Sequence, residues 1–401
     1  MNKILVEINV ACNMMSTGRI AEQIGVKAKK HGWDVYMVHG SRYIGASELK
    51  TYQIQSKWSD YKHFLWDSFI CGRAGLGSTS GTEKFLKFLD EIRPTIVHLH
   101  NIHGYFINYK LLLNYLAERN IPLVWTMHDC WPITGHCAYF DSINCQKWKS
   151  CCHNCELLSS YPKSLIIDTS KKTYLLKKHL FSLLSNVTLV PVSEWLGDIT
   201  IQSMARDHAR IRVIHNGINI NVFKPTFTKT RDEKFRILGV ANGFSGRKGL
   251  DDFNKLREIL PNNFEITMVG LIGAEIKQIK PGIKGYSRTS TIEELVRLYN
   301  EADVYINPTY SDNFPTTNIE ALACGTPVIT YKTGGSPEAV DEKTGVVIEQ
   351  GDVVGLAEAI KQMREKPLSS YDCRKRAEEL FDKDKCFEKY VELYEELLRE
   401  K

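Results

Sequence analysis

Apolar residues recur along the chain in two alternating patterns. Short runs rich in β-branched residues predict strands, and longer stretches with apolar residues every three to four positions predict helices. In the first half, the predicted strands are 3–10, 33–39, 95–100, 122–127, 187–192 and 211–216. The predicted helices are 20–30, 83–92 and 109–119, with a further helix beginning near residue 194. Strands separated by helices predict a parallel sheet covered on both faces, which is the α/β class.

A polar, charged stretch without periodicity, FKPTFTKTRDEK at 223–234, predicts an interdomain linker. After it, the predicted strands are 235–240, 264–269, 303–308 and 327–330, and the predicted helices are 250–260, 292–300, 316–324, 356–364 and 371–398. We therefore predict two doubly wound, Rossmann-like domains, 1–222 and 235–380, with a cysteine-rich insertion at 130–155 in the first.

Length and composition bound the class of protein. At 401 residues, with 43% apolar and 25% charged residues, the chain suits about two globular domains rather than a disordered segment. Its net charge of +5 is too small to indicate a nucleic-acid partner, and it fits anionic substrates or loose contact with an anionic membrane surface. No run reaches 18 apolar residues and the N-terminus is strand-like, unlike a signal peptide. We therefore expect a cytoplasmic protein, at most peripheral at the inner face of the membrane.

The stretch 310–340 carries the densest candidate chemistry. It is predicted to run from a strand through a loop into a helix and a second strand, and in α/β sheets such a loop faces the ligand crevice. The amides of Thr316 and Thr317 suit an anion at the helix N-terminus. Glu320, one turn into the helix, suits hydrogen bonds from a ribose, and Asp312, in the loop, suits a sugar ring. The alternative is that both carboxylates cap the helix.

Two further loops contain glycines that would allow the backbone to approach a phosphate closely. Gly334 and Gly335 would bring a second loop to the ligand of the 310–340 stretch. Gly18 and Arg19 lie between the first predicted strand and helix, and this strand–loop–helix layout also suits a phosphate. An ordinary βα turn is the alternative at Gly18.

Six of the eleven cysteines fall within 26 residues, and Cys137, Cys145, Cys152 and Cys155 form the pattern C-x7-C-x6-C-x2-C. Four thiolates with a terminal CxxC can close a tetrahedral zinc site in a loop that has no other support. Free thiols and disulfides are the alternatives, although an odd total argues against a disulfide framework. Because a closed four-cysteine site leaves no coordination position for a substrate, we predict a structural zinc remote from catalysis.

The spacing within 310–340 resembles family 4 glycosyltransferases. Asp312 and Glu320 resemble the E-x7-E signature of that family, with aspartate in place of the first glutamate. The phrases EALACGTPVI and GGSPE resemble its helix–strand unit and its glycine turn. HDCWPITGHC, which follows the predicted strand 122–127, resembles a subgroup of the family involved in bacterial surface polysaccharides.

The resemblance implies roles for three more residues. His128, the histidine of the HD pair, would contact hydroxyl groups of the donor sugar, with a helix cap or core histidine as the alternative. Lys248 in GRKGLDDF occupies the position of the family's diphosphate lysine, with a solvated basic loop as the alternative. The family's arginine five residues earlier is Gly243 here, so Arg247 is expected to supply the second positive charge.

The same resemblance implies the GT-B fold, in which two Rossmann-like domains face each other across a cleft and the last helix, here 381–401, returns to the first domain. It implies a retaining hexosyltransferase that moves a sugar from a nucleotide-diphosphate donor to a lipid-linked bacterial surface glycan, such as capsule or O-antigen. No cofactor is expected for catalysis. A nucleotide-sugar epimerase on the same fold and a catalytically inactive scaffold of a glycan assembly complex are the alternatives.

Overall fold

The computed structural model describes residues 3–70, 72–226, 233–244 and 246–400, and the chain divides into two compact units. The N-terminal unit comprises Met1–His215 with Phe387–Lys401, and the C-terminal unit comprises Asn216–Cys386. The predicted linker, 223–234, falls within the C-terminal unit, and its residues 227–232 lie outside the described residues.

The N-terminal unit is built on a seven-stranded sheet, counted over the described residues, in which every strand pair is parallel. The spatial order is β3-β2-β1-β4-β5-β6-β7. The strands are β1 Ile4–Asn9, β2 Asp34–His39, β3 Lys50–Gln53, β4 Ile96–Leu99, β5 Leu123–Met127, β6 Val187–Pro191 and β7 Arg210–Ile211. The helices are α1 Met15–Lys30, α2 Lys57–Lys62, α3 Thr79–Ile92, α4 Tyr109–Glu118, α5 Ser170–Leu183 and α6 Glu194–Thr200, with a π-helix at His63–Ile70 directly after α2.

The C-terminal unit repeats the plan with a six-stranded sheet among its described residues, again parallel throughout, in the order β10-β9-β8-β11-β12-β13. The strands are β8 Phe235–Val240, β9 Phe264–Val269, β10 Ile283–Tyr286, β11 Val304–Asn307, β12 Val328–Tyr331 and β13 Gly345–Ile348. The helices are α7 Leu250–Ile259, α8 Ile292–Glu301, α9 Thr316–Ala323, α10 Val353–Glu365, α11 Ser370–Leu380 and α12 Lys383–Arg399. In both sheets the strand order reverses next to the first strand, and ligands of doubly wound folds bind at the carboxyl ends of the strands at that point.

The central strands are buried on both faces, which explains why the sequence shows them as continuous apolar runs. All four residues of β4, all four of β11 and all five of β5 are buried. Their carboxyl ends therefore place the residues that follow, such as His128 after β5, at one edge of a rigid sheet.

The last helix contributes its final turns to the N-terminal unit. Tyr390, Val391 and Tyr394 of α12 are at most 2% exposed. At the helix surface, Glu395 accepts hydrogen bonds from Lys3 Nζ at 2.7 Å and from Trp33 Nε1 at 3.1 Å. Buried apolar area and these charged contacts together attach the helix to the sheet.

Three predicted elements differ from the structure. The predicted strand 211–216 is reduced to the two-residue edge strand β7. The predicted helix 371–398 is two helices, α11 and α12, because the helical conformation is interrupted at Phe381 and Asp382. The side chain of Phe381 is buried at this interruption. The helix predicted at 20–30 begins at Met15, after Met14, which provides no side-chain cap. Among the described residues, each helix is either too short or too polar to cross a lipid bilayer.

Candidate functional site

The candidate site of the C-terminal unit lies at the carboxyl end of β11, where the chain passes through residues 308–315 into α9. The first turn of α9 contains Thr316 and Thr317, and Glu320 follows one turn later. The N-cap position is Pro315, which makes no side-chain cap hydrogen bond. Glu320 Oε2 instead accepts a hydrogen bond from the hydroxyl of Tyr299 at 2.9 Å. Tyr299 is fully buried, so it fixes the orientation of the Glu320 carboxylate, which is itself only partly buried.

Lys248 and Asp312 form an ion pair in this site. Their side chains are 20% and 16% exposed. Burial lowers the pKa of Lys248 below its usual range, the carboxylate of Asp312 opposes that effect, and the nearby Arg247 adds to it. The ammonium group is thus placed in a partly desolvated position, where an electrostatic contact with an anion is stronger than in water.

The loop that carries Lys248 is fastened to the loop after β11. Arg247 Nη1 donates to the carbonyl oxygen of Ser311 at 2.6 Å, and the Arg247 carbonyl accepts from Tyr310 N at 2.7 Å. Gly249, at the N-cap position of α7, has φ of +75°, and a Cβ there would lie 2.4 Å from the carbonyl oxygen of Pro308. Only glycine allows this approach. Arg247 therefore joins the loop before α7 to the loop after β11 through at least one of its side-chain nitrogens. Its position in the sequence does not indicate this structural role.

The predicted glycine loop lies beside α9. Gly334 has φ of +53°, and Gly335 precedes a short 3₁₀ turn at Ser336–Ala339. Asn318 of α9 donates to Ser336 Oγ at 3.0 Å and accepts from Asn307 Nδ2 at 2.9 Å. These buried amide and hydroxyl contacts join β11, α9 and the glycine loop, and no motif in the sequence predicts them.

The candidate site of the N-terminal unit contains a chain of three hydrogen-bonded side chains, Glu7, His100 and His128. His100 Nε2 lies 2.7 Å from Glu7 Oε2, and His100 Nδ1 lies 3.0 Å from His128 Nε2. Glu7 is 0% and His100 1% exposed, whereas His128 is half-buried. Glu7 comes from β1, His100 follows β4 and His128 follows β5, so three neighbouring strands position the chain.

The charge states within this chain follow from its surroundings. Burial alone would raise the pKa of Glu7, but the neighbouring His98 and His100 lower it to about 2. Burial, reinforced by His98, lowers the pKa of His100 to about 4. Burial and the histidines around it also hold the pKa of His128 well below its usual range. At neutral pH, Glu7 is therefore a carboxylate, and His100 and His128 are neutral.

These charge states fix the position of each ring proton. A carboxylate only accepts, so His100 carries its proton on Nε2 and leaves Nδ1 as an acceptor. His128 must then donate from Nε2, and its own Nδ1 is an acceptor. In this tautomer, Nδ1 is the kind of nitrogen to which a hydroxyl group can donate.

His98 belongs to the same buried network. Its Nδ1 lies 2.7 Å from the hydroxyl of Tyr394, and its Nε2 lies 2.7 Å from Thr126 Oγ1. Glu7, His98 and His100 have ligand-type atoms within 4.8 Å of one another, the one such group of three found among the described residues. All of these ring nitrogens already have protein partners, so we interpret the group as a hydrogen-bond network.

The remaining predicted residues lie on other elements of the N-terminal unit. Gly18 lies in the first turn of α1, and a Cβ there would be 3.0 Å from the Ala11 carbonyl oxygen, so it permits close packing of α1 on the loop after β1. Arg19 is exposed on the same helix. Cys137, Cys145, Cys152 and Cys155 all line one small cavity in the segment between β5 and α5.

Each of the two units matches a glycosyltransferase family model. Residues 29–222 match the family model described as Glycosyltransferase Family 4, and residues 235–366 match the one described as Glycosyl transferases group 1. WcaC of Escherichia coli (strain K12), named as a colanic acid biosynthesis glycosyl transferase, is 25% identical over 321 residues, which are 76% of this chain and 77% of that protein.

Two solved structures share the architecture of the whole chain. Sucrose-phosphate synthase from Thermosynechococcus elongatus matches over 100% of both chains with a TM-score of 0.74 and 18% identity. Anabaena HepE in complex with UDP-glucose matches over 98% of this chain and 99% of its own, with a TM-score of 0.62 and 15% identity. The chain therefore has the GT-B fold and belongs to the family 4 glycosyltransferases.

Proposed function

We propose that this glycosyltransferase moves a hexose from a nucleotide-diphosphate sugar to a lipid-linked bacterial surface glycan, with retention of the anomeric configuration. The observation that carries the proposal is the arrangement at the carboxyl end of β11, where Lys248 is held beside Asp312 and Glu320 is held by Tyr299. The name of WcaC supports a polysaccharide product, and the HepE complex supports a nucleotide-sugar donor.

In the proposed reaction the leaving diphosphate gains negative charge as its bond to the sugar breaks. Lys248 and the amides of Thr316 and Thr317 at the start of α9 would stabilise this charge, which is the largest electrostatic contribution available to such a step. Glu320 would accept hydrogen bonds from the ribose hydroxyls. Asp312 orients Lys248 and would orient the sugar, and His128 would accept a hydrogen bond from a sugar hydroxyl.

A panel of UDP, GDP, CDP and dTDP, each with its common sugars, tests donor binding by thermal shift. A nucleotide present at about 100 times its Kd stabilises the protein by roughly 2.7 kcal/mol, so one series is expected to raise the melting temperature by several degrees. Glu320→Ala is expected to lose the response, whereas Glu358→Ala, on the exposed surface of α10, keeps it. A folded wild-type protein that responds to no nucleotide, or that converts a donor to its epimer without an acceptor, would contradict the proposal.

A lipid-linked acceptor would bring the enzyme to a membrane surface, and the N-terminal unit exposes a suitable patch. Trp58, Tyr61, Leu65 and Trp66, on α2 and the following π-helix, are 82%, 47%, 40% and 59% exposed. Exposed Lys57 and Lys62 lie among them. Aromatic residues beside lysines favour the interface of an anionic bilayer.

We expect the protein to co-sediment with vesicles that contain phosphatidylglycerol more strongly than with vesicles of phosphatidylcholine alone. The double variant Trp58→Ser/Trp66→Ser should lose most of this binding, because it removes the two largest exposed apolar side chains of the patch. Tyr371→Ser, which removes a 71% exposed aromatic residue from α11, is the matched control and should bind as the wild type does. Equal sedimentation of all three proteins would exclude the patch as the contact.

A further inference from the structure

The segment between β5 and α5, residues 128–169, is a long excursion with little regular structure. All of its residues are described, and its regular elements are three 3₁₀ turns at Trp131–Ile133, Asp141–Ile143 and Lys147–Lys149. A segment of this length without strands or α-helices needs another source of order inside a compact domain. Packing supplies part of it, since the rings of Phe140 and Trp148 stack with centroids 5.0 Å apart.

Four cysteines of this segment converge on one place. Cys137, Cys145, Cys152 and Cys155 all line a cavity of about 20 Å³. A cavity of this size accommodates about one water-sized sphere, so it suits a single ion and excludes an organic ligand. Cys137 and Cys145 lie before Cys152 and Cys155 in the segment, so an ion bound by all four would cross-link its two parts.

The backbone near Cys152 presents an N–H donor to the sulfur. Gly135 N donates a hydrogen bond to Cys152 Sγ at 3.2 Å. A Cβ on Gly135 would lie 2.2 Å from the carbonyl oxygen of Ser170 and 2.7 Å from Cys152 Cβ, so the position admits glycine alone. The Gly135 amide is thus held in contact with the Cys152 thiol. Hydrogen bonds of this kind orient metal ligands and adjust their basicity.

A buried lysine beside the cluster is a second observation that fits an anionic group. Lys177 is 2% exposed, and Nζ donates to the carbonyl oxygens of Trp131 at 2.5 Å and of Thr134 at 3.0 Å. Among the described residues no carboxylate lies within 4.0 Å of it, and Asp129, which acts on it from farther away, is held by His103. Burial lowers the pKa of Lys177 to about 7, and Cys152, Asp129 and Cys137 oppose that effect. Buried charges are normally compensated, and zinc with four thiolates carries a net charge of −2.

We propose that Cys137, Cys145, Cys152 and Cys155 bind one structural Zn²⁺ with Lys177 as the neighbouring counter-charge. No three of the four sulfurs lie within 4.8 Å of one another in the structure, so binding would draw them together until each is about 2.3 Å from the metal. Two further cysteines of the segment stay outside the set. Cys151 Sγ points to the Cys152 carbonyl at 3.6 Å, and Cys130 lies near Asp129 and Asp141.

Elemental analysis of the full-length protein, purified without added metal or chelator, tests the site directly. We expect about one zinc per chain in the wild type and in Cys151→Ser, the matched control. Cys152→Ser and Cys155→Ser should each lose most of the metal. Zinc that is absent from the wild type, or that is unchanged in both ligand variants, would overturn the proposal.

Two measurements on the wild-type chain keep the test valid if a serine variant does not fold. Replacement of zinc by Co²⁺ should give the strong visible absorption and the sulfur-to-metal charge-transfer bands of a tetrahedral tetrathiolate. The four thiols should also resist alkylation until a chelator removes the metal. Rapid alkylation of all four in the untreated protein, or a Cys137–Cys155 disulfide in its peptide map, would contradict the zinc site.

Discussion

Replacing Lys248 by methionine is expected to lower kcat roughly 10²–10³-fold, the loss typical when one preorganised electrostatic contact to a developing charge is removed. Methionine keeps much of the length and apolar surface of the lysine stem, so the packing around that stem should persist. The ammonium group is what the variant lacks, and in the proposed reaction that group faces the diphosphate. Because this charge grows as the bond breaks, the effect should fall on kcat more than on KM.

The pH dependence provides a second test of Lys248. The proposed role needs the protonated amine, so activity should be present below the pKa of the folded enzyme and lost as the pH rises through it. Burial lowers that pKa below the usual range for lysine, so the alkaline loss should begin earlier than for an exposed lysine. Lys248→Arg keeps its charge at high pH and should move the alkaline limb upward while retaining only part of the rate.

Lys361→Met is the control for Lys248, since it removes the same charge from the exposed surface of α10. It should change neither kcat nor the alkaline limb. An unchanged kcat for Lys248→Met, measured with saturating donor, would show that another group stabilises the leaving diphosphate.

The periodicity of the sequence predicted the central strands and failed at the edges of the sheets, for a physical reason. β4, β5 and β11 are covered on both faces and therefore read as apolar runs. β3, with the sequence KTYQ, is an edge strand that is mostly exposed, so it lacks that signal and was not predicted. β7 is the opposite edge and pairs over only two residues.

In the candidate sites, too, short motifs predicted individual residues but not the partners that hold them. Spacing and resemblance predicted His128, Lys248 and Glu320 as site residues, and each has a local signal: His128 follows β5, Lys248 lies just before α7, and Glu320 lies one turn into α9. Their supporting partners come from elsewhere in the chain: Tyr299 lies 21 residues before Glu320, and Glu7 lies 93 residues before His100. No short motif can carry such pairs, because the fold alone brings them together.

Glu7→Gln is expected to lower kcat/KM roughly 10–10²-fold, although Glu7 itself is fully buried and sits two hydrogen bonds away from His128 Nδ1. The amide can donate to His100 Nε2, which lets the proton of His100 move to Nδ1. His128 would then accept through Nε2 and present a donor, where the native ring presents an acceptor to a sugar hydroxyl. Nitrogen chemical shifts of labelled histidine report this exchange of tautomers directly.

Tyr394→Phe is the matched control, because the Tyr394 hydroxyl contacts the other oxygen of the same carboxylate, Oε1, at 3.2 Å. It should destabilise the protein by about 1–3 kcal/mol through the lost buried hydrogen bond, and it should leave kcat/KM nearly unchanged. In a His128→Ala background, Glu7→Gln should add little further loss, since the two residues act through one chain. A full additional loss in that background, or an equal loss in Tyr394→Phe, would show that Glu7 acts on the fold alone.

Stability at acid pH tests whether Glu7 is ionised in the folded protein, which is the charge state that sets the His128 tautomer. Its pKa is lowered from 4.5 to about 2 in the folded protein, so the carboxylate stabilises the folded state fully above pH 4.5. This stabilisation is lost as the pH falls from about 4.5 towards 2, when the unfolded chain takes up the proton first. Glu7→Gln has no such proton to bind. Denaturant titrations between these pH values should therefore show the wild type losing stability more steeply than the variant, and equal slopes would contradict the ionised state from which the His128 tautomer was derived.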